Sequence, residues 1–341
     1  MIKKNKFRTG LLIIFGFIAS SIIYSVFFDS HVRQVQVIYD ENMTPIDAAP
    51  FEPSIMFPLG TDPLGYDTAA KVLQGAKFTL ISAIVIGILR VLFSFAVGIP
   101  LAFYMPEKIR KALDQLLSSF YFIPLTIIAV FILSPILKEQ IKMPEMEPYF
   151  IYSFAERVVL EIIILTLLVV PLLGSMIGNM MASTLKEDFI EGANVLGASR
   201  WRIFNKHVMP HLLPKLVIVW CQQCVQVLII FTQLGYLKLF FGGTDIDFNP
   251  FMADPPKSLS NEWSGLVGNY YTYIQANPAI ALGPILMFGV AIYAFQLIAE
   301  GFQIHLQTRN VKRTSRDKKM KQKNETIRVQ QKFEFLQNRG A

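Results

Sequence analysis

The sequence predicts an all-α membrane protein with six transmembrane helices and one short cytoplasmic helix between the fourth and fifth of them. Hydrophobic residues make up 53% of the 341 residues, and the mean hydropathy of +0.43 is too high for an ordinary soluble domain. Apolar runs of about 18 residues or more recur, the length that a helix needs to cross about 30 Å of hydrocarbon. The formal net charge of +7 is concentrated at the two chain ends, which favours a role in membrane topology over nucleic-acid binding.

The first predicted span covers residues 11–28. Basic residues stand immediately before it, at Lys3, Lys4, Lys6 and Arg8. A cleaved signal peptide is the alternative interpretation, but Asp29, Ser30 and His31 follow the run where a small-residue cleavage site would be expected. The sequence therefore predicts that residues 1–28 form a cytoplasmic N-terminal segment and an uncleaved first span.

Residues 29–77 are predicted to be extracytoplasmic, because they are polar and acidic and contain few lysines or arginines. Near the end of this segment, residues 58–67 read Pro-Leu-Gly-Thr-Asp-Pro-Leu-Gly-Tyr-Asp. Asp67 directly precedes an apolar run, so it is expected to cap the N-terminus of the second helix.

The second and third predicted spans cover residues 78–104 and 116–137. Arg90 lies near the middle of the second span, where a charge in contact with hydrocarbon is costly, so we expect it to face the bundle interior or water. Pro124 is expected to break the third span, and Pro135 is a second candidate for a break.

The fourth predicted span covers residues 158–182. Three small residues, Gly174, Gly178 and Ala182, recur every four positions along one side of this helix. Such a face lets a neighbouring helix approach closely. Chance placement is the alternative, since small residues are common in membrane spans.

A polar stretch, residues 184–214, separates the fourth and fifth predicted spans and is expected to lie in the cytoplasm. Thr184 and Glu187 fit a capping box, which predicts that a short helix starts there. An apolar stripe on this helix is predicted from residues at i, i+4 and i+7, namely Phe189, Ala193 and Leu196.

Gly197 stands where this short helix is expected to end, because glycine adopts the left-handed backbone conformation at little cost. Ser199 is expected to cap a second helix, and Pro210 and Pro214 to end that helix before the fifth span. The sequence thus predicts two short helices joined at a glycine. A generic amphipathic linker is the alternative interpretation.

The fifth and sixth predicted spans cover residues 216–236 and 279–299, and an outer segment, residues 237–277, separates them. Three glutamines share one face of the fifth span, namely Gln222, Gln226 and Gln233. An uncharged polar face in a span either bonds neighbouring helices or lines an aqueous path. Six spans and a cytoplasmic N-terminus place the basic tail, residues 303–341, in the cytoplasm as well.

The stretch around Gly197 resembles the coupling loop of ABC-importer membrane subunits. The pattern of that family is Glu-Ala-Ala, three residues, Gly, nine residues and then Ile-x-Leu-Pro. Matching positions in this sequence are Glu191, Ala193, Gly197 and Pro210. The departures are Gly192 for Ala, His207 for Ile and Met209 for Leu.

A second similarity lies in residues 58–67. One type of permease subunit from dipeptide, oligopeptide and nickel importers carries Gly-Thr-Asp-x-Leu-Gly-Arg-Asp just before its second span. This sequence matches that pattern from Gly60 to Asp67, except that Tyr66 replaces the arginine. Because both patterns occur in the order found in the family, the chain resembles this permease family over about residues 1–309.

The resemblance implies roles for two groups of residues within a transmembrane permease domain, residues 78–302. The coupling residues that would dock on an ATPase subunit are Glu187, Phe189, Glu191, Gly192, Ala193, Gly197, Ala198 and Arg200. The fifth span borders the channel in such permeases, which favours the path interpretation of its polar face. The residues of the translocation path are then Gln222, Gln226, Gln233 and Arg90.

The resemblance also implies partners and a location. The partners are a second homologous permease subunit, two ATP-binding cassette subunits that use ATP and Mg²⁺, and an extracytoplasmic solute-binding protein, at a bacterial cytoplasmic membrane. Di- or oligopeptides are the expected cargo, with nickel or an oligosaccharide as alternatives within the family. A membrane receptor or scaffold that has kept the loop but not transport is the alternative from another class.

The sequence contains no pattern for catalytic chemistry of its own. It has no phosphate-binding Gly-x-x-x-x-Gly-Lys-Ser/Thr loop, its four histidines are scattered, and it has no Gly-x-Ser-x-Gly nucleophile elbow. Cys221 and Cys224 lie in an apolar span without a second pair of metal ligands, so their expected role is structural. We therefore expect no catalytic residue, bound metal or cofactor in this chain, and no nucleic-acid partner.

Overall fold

The computed structural model describes residues 2–28, 31–40, 42–142, 147–245, 257–275 and 277–306. These residues are mostly helical, and three small antiparallel hairpins lie between the helices. The helices are α1 (Ile2–Phe27), α2 (Thr68–Phe103), α3 (Glu107–Ser119), α4 (Leu125–Leu137), α5 (Phe154–Leu167), α6 (Val170–Leu185), α7 (Asp188–Val195), α8 (Arg200–Tyr236), α9 (Trp263–Tyr270) and α10 (Pro278–Leu306). The hairpins pair β1 (Val37–Tyr39) with β2 (Pro45–Ala48), β3 (Gln140–Lys142) with β4 (Glu147–Tyr149), and β5 (Thr244–Asp245) with β6 (Lys257–Ser258).

Four helices of the described residues are long and apolar enough to cross a membrane, namely α1, α2, α8 and α10. The pair α5 and α6, bent by 44°, would make a fifth crossing if it is one broken span. These five positions coincide with five of the six predicted spans. The basic tail predicted at residues 303–341 lies outside the described residues from residue 307 onward.

The predicted third span is divided into separate pieces. The chain forms α3, a single 3₁₀ turn at Phe120–Phe122, and then α4. Pro124 stands directly before α4, so the expected break at this proline is confirmed, whereas Pro135 lies inside α4 and does not interrupt it. Because α4 has 13 residues, it extends only about 20 Å at 1.5 Å per residue, which is less than the hydrocarbon thickness.

The predicted fourth span breaks between α5 and α6. Pro171 lies in the first turn of α6, and proline cannot donate the N–H that would continue the helix from α5. The Val169 N–H bonds to the Thr166 carbonyl oxygen at 3.2 Å instead of to that of Leu165. The break therefore leaves the Leu165 carbonyl oxygen in need of another donor inside the bundle.

Two helix boundaries in the predicted cytoplasmic stretch were wrong. Thr184 does not start a helix, because it lies in the last turn of α6, where its hydroxyl donates to the Met180 carbonyl oxygen at 3.0 Å; Glu187 instead directly precedes α7. Pro210 and Pro214 do not end a helix, because α8 continues through both. A π-helical segment at Phe204–Val208 ends two positions before Pro210, and its wider turn accommodates a proline ring that would clash with a regular helix.

Helix α2 is the central element of the bundle and contacts α1, α5, α6, α8 and α9. Its first turn is capped as predicted, because the Asp67 carboxylate accepts the N–H groups of Ala69 and Ala70 at 2.8 and 3.3 Å. Helix α1 lies against α2 on one side, where the Ser21 hydroxyl donates to the Gln74 carbonyl oxygen at 3.1 Å.

The segment before α2 is tied to α2 and α9 through Asp62. Its carboxylate accepts from Lys71 Nζ at 2.6 Å and from the Tyr270 hydroxyl at 3.2 Å. Trp263, at the start of α9, is fully buried and donates from Nε1 to the Val72 carbonyl oxygen at 2.8 Å. The residues around Asp62 and helix α9 are thereby held on the first turns of α2.

The predicted small-residue face of α6 packs against α2. A Cβ placed on Gly98 of α2 would meet the backbone nitrogen of Gly178 at 3.0 Å and the carbonyl oxygen of Gly174 at 3.3 Å. The two backbones therefore approach too closely for a side chain at Gly98, and the packing interpretation is confirmed over chance placement.

Gly98→Leu should force α2 and α6 apart and destabilise the protein by about 1–3 kcal/mol, the usual cost of overpacking. Thermal unfolding of the purified protein in detergent measures this loss. Gly289→Leu is the matched control, because Gly289 of α10 has no atom within 4 Å of its added Cβ. Equal unfolding temperatures for the two variants would contradict close packing at Gly98.

Candidate functional site

A cavity of about 360 Å³ lies beside the middle of α8, between this helix, the N-terminal half of α6 and the start of α4. One wall of the cavity, here called the glutamine wall, consists of Gln222, Gln223, Gln226 and Gln233. The facing residues are mostly apolar, among them Phe120, Leu172 and Met176. The structure thus brings the three predicted glutamines of α8 together around one cavity and adds Gln223 to them.

Arg90 lies directly behind the glutamine wall and is fully buried. Its Nε and Nη2 both donate to the Leu165 carbonyl oxygen, at 2.9 and 2.7 Å. Its Nη1 donates to the side-chain oxygens of Gln223 and Gln226, each at 3.3 Å. Arg90 therefore faces the bundle interior, as predicted, and supplies the donor that the break between α5 and α6 requires.

Arg90 makes no salt bridge within the described part of the chain. Glu161 lies one turn before Leu165 on α5, but its carboxylate accepts the Gly242 N–H at 3.1 Å. Arg90 and Glu161 therefore do not form an ion pair inside the bundle. All the acceptors of Arg90 are neutral amide or carbonyl oxygens.

Gln233 is held at the other end of the wall by Thr126. The Thr126 hydroxyl, in the first turn of α4, donates to the Gln233 side-chain oxygen. This contact joins α4 to α8. It depends on the break at Pro124, because α4 begins directly after it and Thr126 lies in the first turn of α4.

A second cavity of about 400 Å³ continues from the first, and the two share Leu172 and Met176 as lining residues. Polar residues of α6 line it at four-residue intervals, namely Ser175, Asn179 and Ser183. Asp114 of α3 accepts from the Ser175 hydroxyl at 2.7 Å, and Arg110 donates from Nε to the Asn179 side-chain oxygen at 3.1 Å. This polar face of α6 was not predicted, although the four-residue spacing of its members is visible in the sequence.

The glycine elbow, residues 187–200, has the predicted backbone geometry. Gly197 has a φ of +74°, the left-handed conformation that favours glycine. The Ala198 N–H bonds back to the Ala193 carbonyl oxygen at 3.0 Å. Ser199 caps α8, because its hydroxyl accepts the Arg202 N–H at 3.4 Å.

The predicted apolar stripe of α7 does not face the protein. Ile190 is the buried residue of α7, whereas Leu196 and Val195 are 89% and 84% exposed. Phe189 is also exposed and stacks on His211 of α8, with ring centroids 5.0 Å apart. Ile190 is thus the side chain of α7 that packs against the bundle, and the predicted stripe of Phe189, Ala193 and Leu196 is left largely at the surface.

Exposed side chains surround the elbow. The remaining predicted coupling residues on its surface are Glu187, Glu191, Gly192 and Arg200. Trp201 is 71% exposed beside them, and the Arg200 guanidinium lies over the Tyr104 ring at 5.4 Å. Apolar and charged groups are thus available together at this end of the molecule.

The start of α3 is tied to the end of α6 near the elbow. Lys186 and Lys111 each form an ion pair with Glu107 at 2.9 Å. The hydrogen bond from Lys186, together with that from Lys111, lowers the pKa of Glu107 to about 2. Glu107 therefore stays ionised at neutral pH, and the link is maintained there.

Cys221 and Cys224 are buried and free in α8. Cys224 packs against α2, where a Cβ on Gly87 would meet its Sγ at 2.8 Å. This packing is what a structural role requires.

Comparisons with known proteins identify the family. The family described as "Binding-protein-dependent transport system inner membrane component" matches residues 94–311, a range that includes the glutamine wall and the elbow. The glutathione transport system permease protein GsiD of Pectobacterium atrosepticum is 23% identical over 270 residues, which cover 78% of this chain and 77% of that protein. The dipeptide transport system permease protein DppC of Alkalihalophilus pseudofirmus is 22% identical over 306 residues, which cover 89% and 86%.

A solved structure of the MetNI methionine ABC transporter, in an inward-facing conformation, is also similar. The similarity has a TM-score of 0.47 at 16% identity and covers 67% of this chain and 93% of that chain. The chain belongs to the binding-protein-dependent transport system inner membrane components, and it is a multi-pass permease subunit of an ABC importer whose ATP is hydrolysed by separate subunits.

Proposed function

We propose that this chain forms half of the translocation path of an importer for di- or oligopeptides. The glutamine wall is the observation that carries the proposal. Amide side chains both donate and accept hydrogen bonds, so they suit a peptide backbone without selecting particular side chains. The names of the dipeptide and glutathione permeases support a peptide cargo.

The path continues into the second cavity, towards the elbow. Leu172 and Met176 stand where the two cavities meet, so a cargo would pass from the glutamine wall to the polar face at Ser175 and Asn179. A second permease subunit would supply the opposite wall. A solute-binding protein would deliver cargo to residues 29–77 and 237–277 on the extracytoplasmic side.

The proposed topology has six crossings, and the third consists of residues 116–137, from the end of α3 through α4. Both chain ends then lie in the cytoplasm, the N-terminal segment at residues 1–28 and the tail at residues 303–341. The high density of lysine and arginine at both ends supports this orientation at a bacterial cytoplasmic membrane.

The glycine elbow is the proposed docking site for one of two ATP-binding cassette subunits, which use ATP and Mg²⁺. The exposed Val195, Leu196 and Trp201 offer apolar area to such a partner. Helix α8 runs without interruption from the elbow to the glutamine wall. Gln222 lies 22 residues beyond Arg200, or about 33 Å along the helix, so a movement of the elbow is passed directly to the wall.

Two alternatives are separated by transport assays. A nickel or oligosaccharide importer would take up its cargo without competition from peptides. A receptor or scaffold would show no uptake that depends on the partner ATPase. Uptake of labelled peptide by membrane vesicles containing the complete complex, with and without an active ATPase, distinguishes all three.

Gly197→Val should uncouple ATP hydrolysis from cargo delivery, because a β-branched residue cannot adopt the φ of +74° at little cost. The backbone strain is on the order of 1–3 kcal/mol and would displace α7 from its docked position. The assembled complex is expected to lose the stimulation of its ATPase by loaded binding protein, measured as phosphate release.

Gly192→Ala is the matched control for this variant. Its added methyl group has no atom within 4 Å, and alanine is the residue that the coupling-loop pattern carries at this position. Stimulation should persist in Gly192→Ala. Full stimulation in Gly197→Val would count against the coupling role.

Single cysteines at 222, 226 and 233 should react with a water-soluble thiol reagent, in a background where Cys221 and Cys224 are alanine. Reactivity at all three positions should change when ATP is added, because alternating access opens the cavity to one side at a time. Val227→Cys is the control, since Val227 is fully buried on the same helix. Three unreactive positions in every state would show that the glutamines are packing residues.

A further inference from the structure

We propose that Arg90 makes the glutamine wall a surface of hydrogen-bond donors with a positive potential, which selects cargo through its carbonyl and carboxylate oxygens. This inference rests on the proposed function, because it assigns a chemical preference to the same cavity. It adds a preference for hydrogen-bond acceptors on the cargo, whereas a wall of freely oriented amides would bind donors and acceptors alike.

The orientation of two glutamines follows from the chemistry of arginine. A guanidinium carries only donors, so Gln223 and Gln226 must turn their side-chain oxygens towards Arg90, as the two 3.3 Å contacts show. The amide nitrogens then point away from Arg90. Both side chains line the cavity, and neither nitrogen donates to another protein group within the described residues.

Gln233 repeats this arrangement with a different partner. Its side-chain oxygen accepts the Thr126 hydroxyl, which leaves its amide nitrogen as the group available to the cavity. Three of the four glutamines therefore present donors on the same wall. From Gln222 to Gln233 the wall extends about 16 Å along α8, which matches about five residues of an extended peptide.

The positive charge of Arg90 favours electronegative cargo atoms, as these N–H donors do. Its acceptors are the Leu165 carbonyl oxygen and two amide oxygens, all of them neutral. No carboxylate among the described residues pairs with it, and Glu161 is occupied by the Gly242 N–H. A buried charge without a counter-ion is poorly screened, so its field extends through the wall into the cavity.

Cargo that carries acceptor oxygens therefore fits this wall. A peptide supplies its backbone carbonyls and, at one end, a carboxylate, for which charge-assisted hydrogen bonds are the strongest. A cationic cargo, including a bare divalent metal ion, would be repelled by Arg90, and the side-chain oxygens of Gln223 and Gln226 are turned towards Arg90.

Charged thiol reagents measure the potential at the wall without cargo or binding protein. In the assembled complex, with Cys221 and Cys224 replaced by alanine, Gln222→Cys is labelled by a sulfonate-bearing and by a trimethylammonium-bearing methanethiosulfonate. The ratio of the anionic to the cationic rate should exceed that of a free thiol in solution by about tenfold, which corresponds to roughly 1.4 kcal/mol.

Two further variants assign this preference to Arg90. Arg90→Gln removes the charge and keeps a donor for Leu165, so the rate ratio should fall to that of the free thiol. Should that variant fail to fold, Gln226→Glu neutralises Arg90 from the cavity side and should lower the ratio in the same way. Gln226→Met is the matched control, because it has similar length and no charge, and the anion preference should remain.

A ratio equal to that of the free thiol in the parent protein would overturn the inference, as would an anion preference that survives both Arg90→Gln and Gln226→Glu. An unreactive cysteine at 222 in every state would overturn it as well. Peptide uptake by the complex tests the proposed function separately. Peptide uptake without an anion preference at the wall would support the peptide importer and contradict the donor wall. An anion preference without peptide uptake would support the donor wall and contradict peptide as the cargo.

Discussion

The buried guanidinium of Arg90 supplies the hydrogen bonds that the backbone lacks at the break between α5 and α6. In hydrocarbon every carbonyl oxygen needs a donor from the protein, and the break at Pro171 removes the helical partner of Leu165. Two N–H groups of Arg90 reach that oxygen at 2.9 and 2.7 Å. One side chain thus joins α2 to the broken fourth span, and its third contact point reaches α8.

This arrangement explains why a charge is retained in the middle of α2. A lysine has one ammonium group and could not bond Leu165 and two glutamines in the planar fork that a guanidinium provides. An apolar residue would leave the Leu165 oxygen without a partner, at a cost of about 1–3 kcal/mol. The same side chain that stabilises the break also fixes the direction of the amides on α8, so stability and the chemistry of the cavity depend on one residue.

The sequence predicted what depends on local chemistry. Helix positions followed from hydropathy, and the Asp67 cap, the Ser199 cap and the left-handed Gly197 followed from residue type. The polar faces of α8 and the small-residue face of α6 followed from helical spacing. Each of these features is decided by residues within a few positions of one another.

The features that could not be predicted arise from contacts between distant segments. Helix α8 continues through Pro210 because a π-helical segment precedes it, and nothing in the sequence alone distinguishes this from a helix end. The capping box at Thr184 failed because α6 continues to Leu185, and its residues Met181 and Ala182 lie in the same apolar cluster as Ala102 of α2. The orientation of the Gln223 side chain could not be predicted for the same reason, because it depends on Arg90, 133 positions earlier in the chain.

The uninterrupted helix α8 connects the glycine elbow to the glutamine wall, although the two candidate sites lie far apart. Ile190 anchors α7 in the same apolar cluster as Ile203 and Val208 of α8, so the elbow is packed directly against the start of α8. Phe204, the first residue of the π-helical segment, contacts Phe95 and Phe103 of α2, with ring centroids 6.1 and 6.0 Å away. In the proposed coupling role, a force on the elbow would be transmitted along α8, and the aromatic contact of Phe204 would pass part of it to α2, the helix that carries Arg90.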